Sequence, residues 1–308
     1  PGVVNITGDD IIIENLTIEN TQPEIGPHAF AVYGTGTRTI LLDCNLWSNG
    51  ADTVSLWNYK TGMYYHSNCS FKGAVDMVCP RGWCYIKDSE FYEVKSSAAI
   101  WHAGGEDKTQ KLVIKNSTFD GVEGFELGRH HYDAQFFLID CTFSERMKDK
   151  EIYRVTYPDE PQRDRPFNWG PRYFFYNCSK TDSNYHWFQD NLDNPYYISP
   201  FWTFEGQWDP ETEIDPYIIS YRIEENILYL SLSEKVTIVG NPQLKSSNGT
   251  VLIFFSGGEN NTLRFDSNKK IQTKDIQNLI IANESEIFGT QSTVKKRSID
   301  LNIKLVGK

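Results

Sequence analysis

The chain has 308 residues, 39% hydrophobic and 23% charged, and 30 Lys+Arg against 41 Asp+Glu leave a net charge of −11. That length allows a large core or two domains, and the acidic surplus argues against a protein held to nucleic acid by phosphate neutralisation. No apolar run approaches the ~20 residues of a membrane-spanning helix, and no leader is seen at Pro1, so any secretion signal is expected upstream or already removed.

Along the chain, one heptad-length template recurs seven times: Ile12–Ile18, Ile40–Leu46, Tyr65–Phe71, Tyr85–Phe91, Val113–Phe119, Phe137–Phe143 and Phe174–Lys180. Its fourth column is Asn or Asp in every copy, its fifth reads Leu, Cys, Cys, Ser, Ser, Cys, Cys, and its seventh is apolar in six of the seven. Columns one, five and seven share parity, so on a continuous strand they are expected to face one interior. The Asx column suits a bend where the side chain bonds nearby backbone. Copies start 28, 25, 20, 28, 24 and 37 residues apart, too far for hairpins and right for the coils of a solenoid. Residues 1–210 are therefore predicted to form an all-β, right-handed parallel β-helix.

Cys44, Cys69, Cys141 and Cys178 fall in the small inward column and read as packed thiols. Cys79 and Cys84 lie outside it and are open to pairing in an oxidising compartment. No Cys/His spacing suggests zinc, and no glycine-rich phosphate loop follows a strand, so neither metal nor cofactor is expected.

Counted from the fifth column, Asp52 lies eight residues after Cys44 and Asp76 seven after Cys69, which puts two carboxylates on one wall of neighbouring coils. His28, His102 and Arg129 follow their own copies by twelve, thirteen and twelve residues, so five coils offer side chains to a common strip. Two close carboxylates share a proton, one acting as acid and the other as anion, and a nearby Arg decides which stays charged. Such a pair suits acyl transfer or glycoside hydrolysis; the alternative is two solvated turn residues. Tyr33, Trp57, Tyr59, Trp83, Trp101 and Tyr132 crowd the same region as platforms for sugar rings, or as residues packed under loops.

The interval from Ser144 to Arg172 breaks the period. Its Arg154, Arg163, Arg165 and Arg172, with Tyr153, Tyr157 and Trp169, read as a loop over an anionic sugar polymer or as a crossover paired to Asp159, Glu160 and Asp164. The run from Trp202 to Trp208 reads as an aromatic-anchored stretch packed along the solenoid.

All 8 Trp, 6 His and 6 Cys precede Asp215, and residues 216–308 hold 12 basic and 9 acidic residues. A boundary is expected in 209–216. Beyond it, alternating runs at 218–223, 227–232, 236–239, 251–255 and 262–265 predict a small β-sandwich over 216–308. Its Leu232–Val236 and Gly240–Leu244 segments resemble immunoglobulin-like modules of bacterial surface and secreted proteins, expected to act as an accessory spacer or folding partner, with carbohydrate binding as the alternative.

Five ordered segments over about 115 residues, Asn15–Thr21, His28–Val32, Ala51–Val54, Gly73–Asp76 and Leu127–Arg129, resemble the pectin methylesterase signatures N-L-T-I-E-N-T, Q-A-V-A-L, Q-D-T-L, G-x-V-D-F-I-F-G and L-G-R-P-W. The resemblance covers about residues 3–210, and by the family pattern the early coils are expected to precede Pro1 or to have been trimmed. It implies cofactor-free hydrolysis of methyl esters on galacturonate, with Asp76 as nucleophile, Asp52 as general acid/base, and Arg129 holding nucleophile and substrate. The family's two oxyanion glutamines read His28 and Ala51 here, and the aromatic after L-G-R reads His131. His28 is then the expected oxyanion donor, with His102 or His131 as substitutes, and His131, Trp101, Trp57, Trp83 and Tyr132 are expected to bind substrate. The implied partner is pectin or a related acidic plant polysaccharide, met by a secreted, periplasmic or cell-surface bacterial monomer with no nucleic acid and no membrane span. Two other readings stand beside it: a non-catalytic β-helix that binds acidic polysaccharide, and an esterase for a different sugar ester.

Overall fold

A computed structural model describes residues 2–105, 107–181, 189–211, 218–232, 235–258, 261–276 and 279–289. The chain divides into two compact units, Pro1–Trp208 and Asp209–Lys308. Residues 212–217, most of the expected boundary, and 290–308, the end of the expected second domain, lie outside the described residues.

Because each coil repeats the template, each adds one strand to three sheets, and the first unit is a parallel β-solenoid. The first sheet stacks Val4–Ile6, Val32–Gly34, Val54–Leu56, Val78–Pro80, Ala98–Trp101, Glu126–His130 and Tyr153–Arg154. The second stacks Ile12–Glu14, Thr39–Leu42, Met63–Ser67, Trp83–Lys87, Leu112–Lys115, Phe136–Ile139 and Tyr173–Tyr176. The third runs from Thr17–Asn20 through Asn45–Ser48, Ser70–Gly73, Glu90–Glu93, Thr118–Gly121 and Thr142–Phe143 to Ser179–Lys180. Their pairing is parallel in register, for example Phe91 opposite both Phe71 and Phe119.

The Asx column is a corner. Asn15, Asp43, Asn68, Asp88, Asn116, Asp140 and Asn177 all have positive φ, between 48° and 56°, a region that short Asx side chains tolerate. They also link coil to coil, as Asn116 Nδ2 donates to Asp88 at 2.5 Å and Asn177 Nδ2 to Asp140 at 2.8 Å.

This corner corrects one sequence expectation. Columns five and seven face the core as expected: Cys44, Cys69 and Cys141 are buried, and Phe71, Phe91 and Phe119 stack with ring centroids 5.0 and 4.4 Å apart. Column one does not face the core. A left-handed residue between the strands rotates the chain, so parity does not carry across it, and column two (Leu41, Ile86, Ile114, Leu138, Phe175) lines the core instead. Column one lies on the outer face of the second sheet. There the helix Pro200–Thr203, capped by Ser199 Oγ on the Trp202 N–H, lays Trp202 edge-on against Phe137 at 5.2 Å.

All six cysteines are free thiols, so the pairing left open for Cys79 and Cys84 is not made. They belong to strands of different sheets and are separately buried.

The second unit is antiparallel. One sheet runs Ile218–Glu224, Ile227–Leu232, Thr262–Asp266, Val251–Gly257, Gln243–Lys245, Ile280–Ile281, and a second pairs Val236–Val239 with Glu286–Gly289. Alternation along Ile227–Leu232 buries Leu228, Leu230 and Leu232 in one core, to which Val236 and Ile287 of the smaller sheet contribute.

Candidate active site

The first sheet supplies a register for the strip. Val32, Val54, Val78 and Ile100 stand opposite one another and face the core. The next column, Tyr33, Ser55, Cys79, Trp101, Arg129 and Tyr153, therefore faces outward. Two residues before Val54 and Val78 come Asp52 and Asp76, both at φ 59° and both under 4% exposed. Each N–H bonds to the next coil, Asp52 to the Val75 carbonyl and Asp76 to that of Ala98. The carboxylates thus sit in corresponding positions of adjacent coils, as their offsets predict.

Arg129 comes from two coils further on and forks onto Asp76: Nε lies 2.9 Å from Oδ1 and Nη2 lies 2.7 Å from Oδ2. Burial pushes the Asp76 carboxyl up to about 6, even though the Arg129 bonds and charge pull it down; the nearby Asp52 adds to the rise. Asp76 is consequently an anion at neutral pH, held at some cost. Asp52 Oδ2 accepts from Ser55 Oγ at 3.3 Å; Ser55 in turn accepts from Trp57 Nε1 at 2.6 Å and lies 3.2 Å from Cys79 Sγ. Burial, then the charge of Asp52, push the Cys79 thiol up, so it stays S–H.

Two further residues shape the site and went unnoticed in the sequence. Glu93 is fully buried, and its Oε1 accepts from the N–H groups of Val75 and Lys95 at 3.2 and 3.0 Å and from Ser97 Oγ at 3.2 Å. Burial pushes its carboxyl up to about 9 despite these bonds, so it is neutral at pH 7. One of them fixes Val75, a β-branched residue at φ 48° immediately before Asp76; such a conformation persists only where the surroundings enforce it. Arg81, 2% exposed, is sandwiched between indoles, its guanidinium carbon 4.1 Å from the Trp57 centroid and 4.6 Å from that of Trp101. Nη1 donates to the Cys79 carbonyl at 2.8 Å. Its only sequence signal was a cation just after the segment that carries Asp76.

The other expected residues divide. Trp57, Trp101 and His131 line the strip, with the His131 ring 4.9 Å from Trp101. Burial and then the charge of Arg129 push the His131 imidazole down to about 4, so it is neutral. His28 bridges to Ala51 in the adjacent coil, which places it beside the strip, but its side chain is exposed rather than in a water-poor cleft. His102 is not on the strip: it is buried, with Nε2 2.7 Å from the Gly82 carbonyl and Nδ1 accepting from the Gly104 N–H, and burial pushes it down to about 3. Both nitrogens are occupied, so it offers no oxyanion donor. Trp83 belongs to the second sheet and is 6% exposed, which removes it from the expected substrate platforms. Tyr132 lies farther on, in a cavity beyond the strand ends. In the long interval, Tyr153–Arg154 adds a strand to the first sheet; Arg163 pairs with Glu160 at 3.3 Å, and Asp164 accepts the Tyr157 N–H.

No protein-family model matches the chain. Over 79 residues it is 34% identical to Pectinesterase 31 of Arabidopsis thaliana, a stretch that is 25% of this chain and 23% of that protein, so the chain matches about a quarter of the relative's length. Among solved structures it is similar to the pectin methylesterase PemA from Erwinia chrysanthemi, with 18% identity over 67% of this chain and 72% of that one and a TM-score of 0.52. A pectin methylesterase in complex with hexasaccharide VII gives 18% identity over 68% and 73% and a TM-score of 0.51. These structures share the solenoid fold.

Proposed function

We propose that the solenoid hydrolyses methyl esters on uronate units of a pectin-like polysaccharide, with Asp76 as nucleophile. The observation that carries this reading is the Arg129 fork on a buried Asp76, with Asp52 in the matching position one coil away. The partial identity to a pectinesterase and the fold shared with pectin methylesterases support the same chemistry.

Asp76 Oδ attacks the ester carbonyl carbon, and the carbonyl π pair moves onto oxygen. The reactive form of the pair carries one proton, on Asp52, with Asp76 ionised; as the tetrahedral species collapses, the carbon–methoxy bond breaks and Asp52 delivers that proton, releasing methanol and leaving an acyl anhydride on Asp76. Asp52, now an anion, takes a proton from water; the hydroxide attacks the acyl carbon and the Asp76–acyl bond breaks, freeing the sugar acid and restoring both carboxyls. Arg129 keeps Asp76 ionised before attack and stabilises it as leaving group afterwards.

The oxyanion needs a donor, since losing one typically costs ~10²–10³ in rate. Ala51 has no side-chain donor and its N–H is bonded to the Pro27 carbonyl. His28, at the rim, fills that role in this proposal. Its exposure favours a second reading, in which the strip binds acidic polysaccharide without cleaving the ester. Methanol release from highly methylated homogalacturonan separates the two: release that is lost in Asp76→Asn supports hydrolysis, and none from folded wild type removes it. On this reading the C-terminal unit is an appended immunoglobulin-like spacer, and the protein works outside the cytoplasm.

A further inference from the structure

Behind Asp52 runs a chain of hydrogen bonds that the two-carboxylate mechanism does not use. Asp52 Oδ2 accepts from Ser55 Oγ at 3.3 Å, whereas no hydrogen bond reaches Oδ1 among the described residues. Ser55 and Cys79 stand opposite one another on adjacent coils, both fully buried, with Oγ and Sγ 3.2 Å apart. Beyond Cys79 comes Arg81, whose Nη1 lies 3.3 Å from Cys79 Sγ. Trp57 closes the group: its Nε1 is 2.6 Å from Ser55 Oγ, and its ring stacks on the Arg81 guanidinium.

The donor inventory gives this chain a direction. Indole and guanidinium N–H groups only donate. Trp57 therefore occupies one lone pair of Ser55, and Arg81 makes Cys79 Sγ an acceptor on its far side. Burial, and then the charge of Asp52, keep Cys79 as a thiol against the pull of Arg81, so its S–H is free to donate to the second lone pair of Ser55. Asp52 Oδ2 is then left as the acceptor for the one hydrogen of Ser55. Every bond points from a buried cation toward the carboxyl. Arg81 is an expensive end for such a chain: it is 2% exposed, makes no ion pair among the described residues, and its Nε has no partner. Ser55 itself is no nucleophile, since its hydroxyl is buried and no histidine bonds to it among the described residues.

We propose that Ser55 is a positioning residue for the general acid Asp52, with Cys79 and Arg81 directing its hydrogen. The inference rests on the esterase reading and deepens it. With Oδ2 engaged by the Ser55 hydroxyl, the carboxyl plane is fixed and the transferable proton resides on Oδ1. That proton passes from Oδ1 to the departing methoxy oxygen. The same hydroxyl then stabilises the Asp52 anion until it takes a proton from water, and a bond to a charged acceptor shortens and strengthens.

The methyl and trifluoroethyl esters of trigalacturonate test this with the full chain. Ser55→Ala should lower kcat on the methyl ester at least ~tenfold with KM changed less than ~twofold, because the buried hydroxyl orients the acid without touching substrate. Trifluoroethanol departs with less help from an acid. With enzyme in excess, so that first alcohol release reads acylation alone, the loss on the trifluoroethyl ester should therefore be under ~threefold. Ser55→Thr and Ser55→Val are alike in size and differ in the hydroxyl, so Thr should recover most of the methyl-ester rate and Val should not. Equal losses on the two esters, equal rates for Thr and Val, or an unimpaired Ser55→Ala overturn the positioning role and leave the esterase reading standing. Wild type that is folded by circular dichroism and releases alcohol from neither ester ends the esterase reading and this inference with it.

Discussion

Replacing Asp76 by Asn should abolish ester hydrolysis while making the solenoid more stable at neutral pH. The Asp76 carboxyl is pushed from 3.8 up to about 6 by burial, with Arg129 already counted against the rise. A carboxyl whose folded value is raised favours the folded state while protonated; that contribution is complete below about 3.8 and is lost as pH rises through about 6. Two units correspond to about 3 kcal/mol, so ionised Asp76 destabilises the folded protein by that order at pH 7. Asn is nearly isosteric, cannot ionise and keeps an acceptor for Arg129. Its advantage should therefore be close to zero at pH 4 and grow to about 3 kcal/mol at pH 7, or several degrees in Tm for a unit of this size. All 8 Trp precede Asp215, so thermal unfolding followed by tryptophan emission reports on the solenoid. Methanol release should fall at least ~10³-fold at both pH values. If Asp76→Asn is as much less stable than wild type at pH 7 as at pH 4, the ionised carboxylate supports the fold, and the account of a strained nucleophile is wrong.

Arg129→Ala removes the group that opposes burial at Asp76, so the acid limb of the pH–rate profile, expected near 6 in wild type, should move upward; an unmoved limb would show that Arg129 does not set the charge of Asp76. Glu93→Gln should retain activity, since the native carboxyl is neutral at pH 7, whereas Glu93→Ala should lower kcat with little change in KM by releasing Val75; equal behaviour of the two variants, judged by kcat and by circular dichroism, would deny the positioning role. With its folded value raised from 4.5 to about 9, Glu93 should also make wild type lose stability as pH climbs toward 9, a loss absent in Glu93→Gln on urea titration. His28→Ala should cut turnover ~10²-fold if the rim histidine holds the oxyanion; unchanged methanol release would assign that task elsewhere.

What could be read from the sequence was whatever repeats. The spacing of the Asx column announced stacked coils, because a solenoid needs the same corner each time, and counting from that corner brought Asp52 and Asp76 together across 24 residues. The same count failed where one residue matters. His102 follows its copy by thirteen residues and Arg129 by twelve, yet the true partner of Arg129 is Trp101, itself twelve residues on. A slip of one residue on a strand exchanges outside for inside, which is why His102 is a buried, fully bonded imidazole rather than a cleft donor. Parity failed in column one for a related reason: the left-handed Asx residue that marks the coil also rotates the chain, so the strongest repeat signal in the sequence interrupts the alternation used to interpret it. Glu93 and Arg81 had no repeat to reveal them. Glu93 acts on the backbone of a residue 18 positions earlier, and Arg81 is held by indoles 24 positions before and 20 after. Neither contact follows from residue type at a fixed offset; both arise only once the coils are stacked. The proposed site therefore has two layers: the carboxylates and their arginine recur with the coil, whereas the groups that tune and hold them are set by packing between coils. Substitutions in the second layer should alter pH dependence and kcat without touching the residues by which the site is recognised.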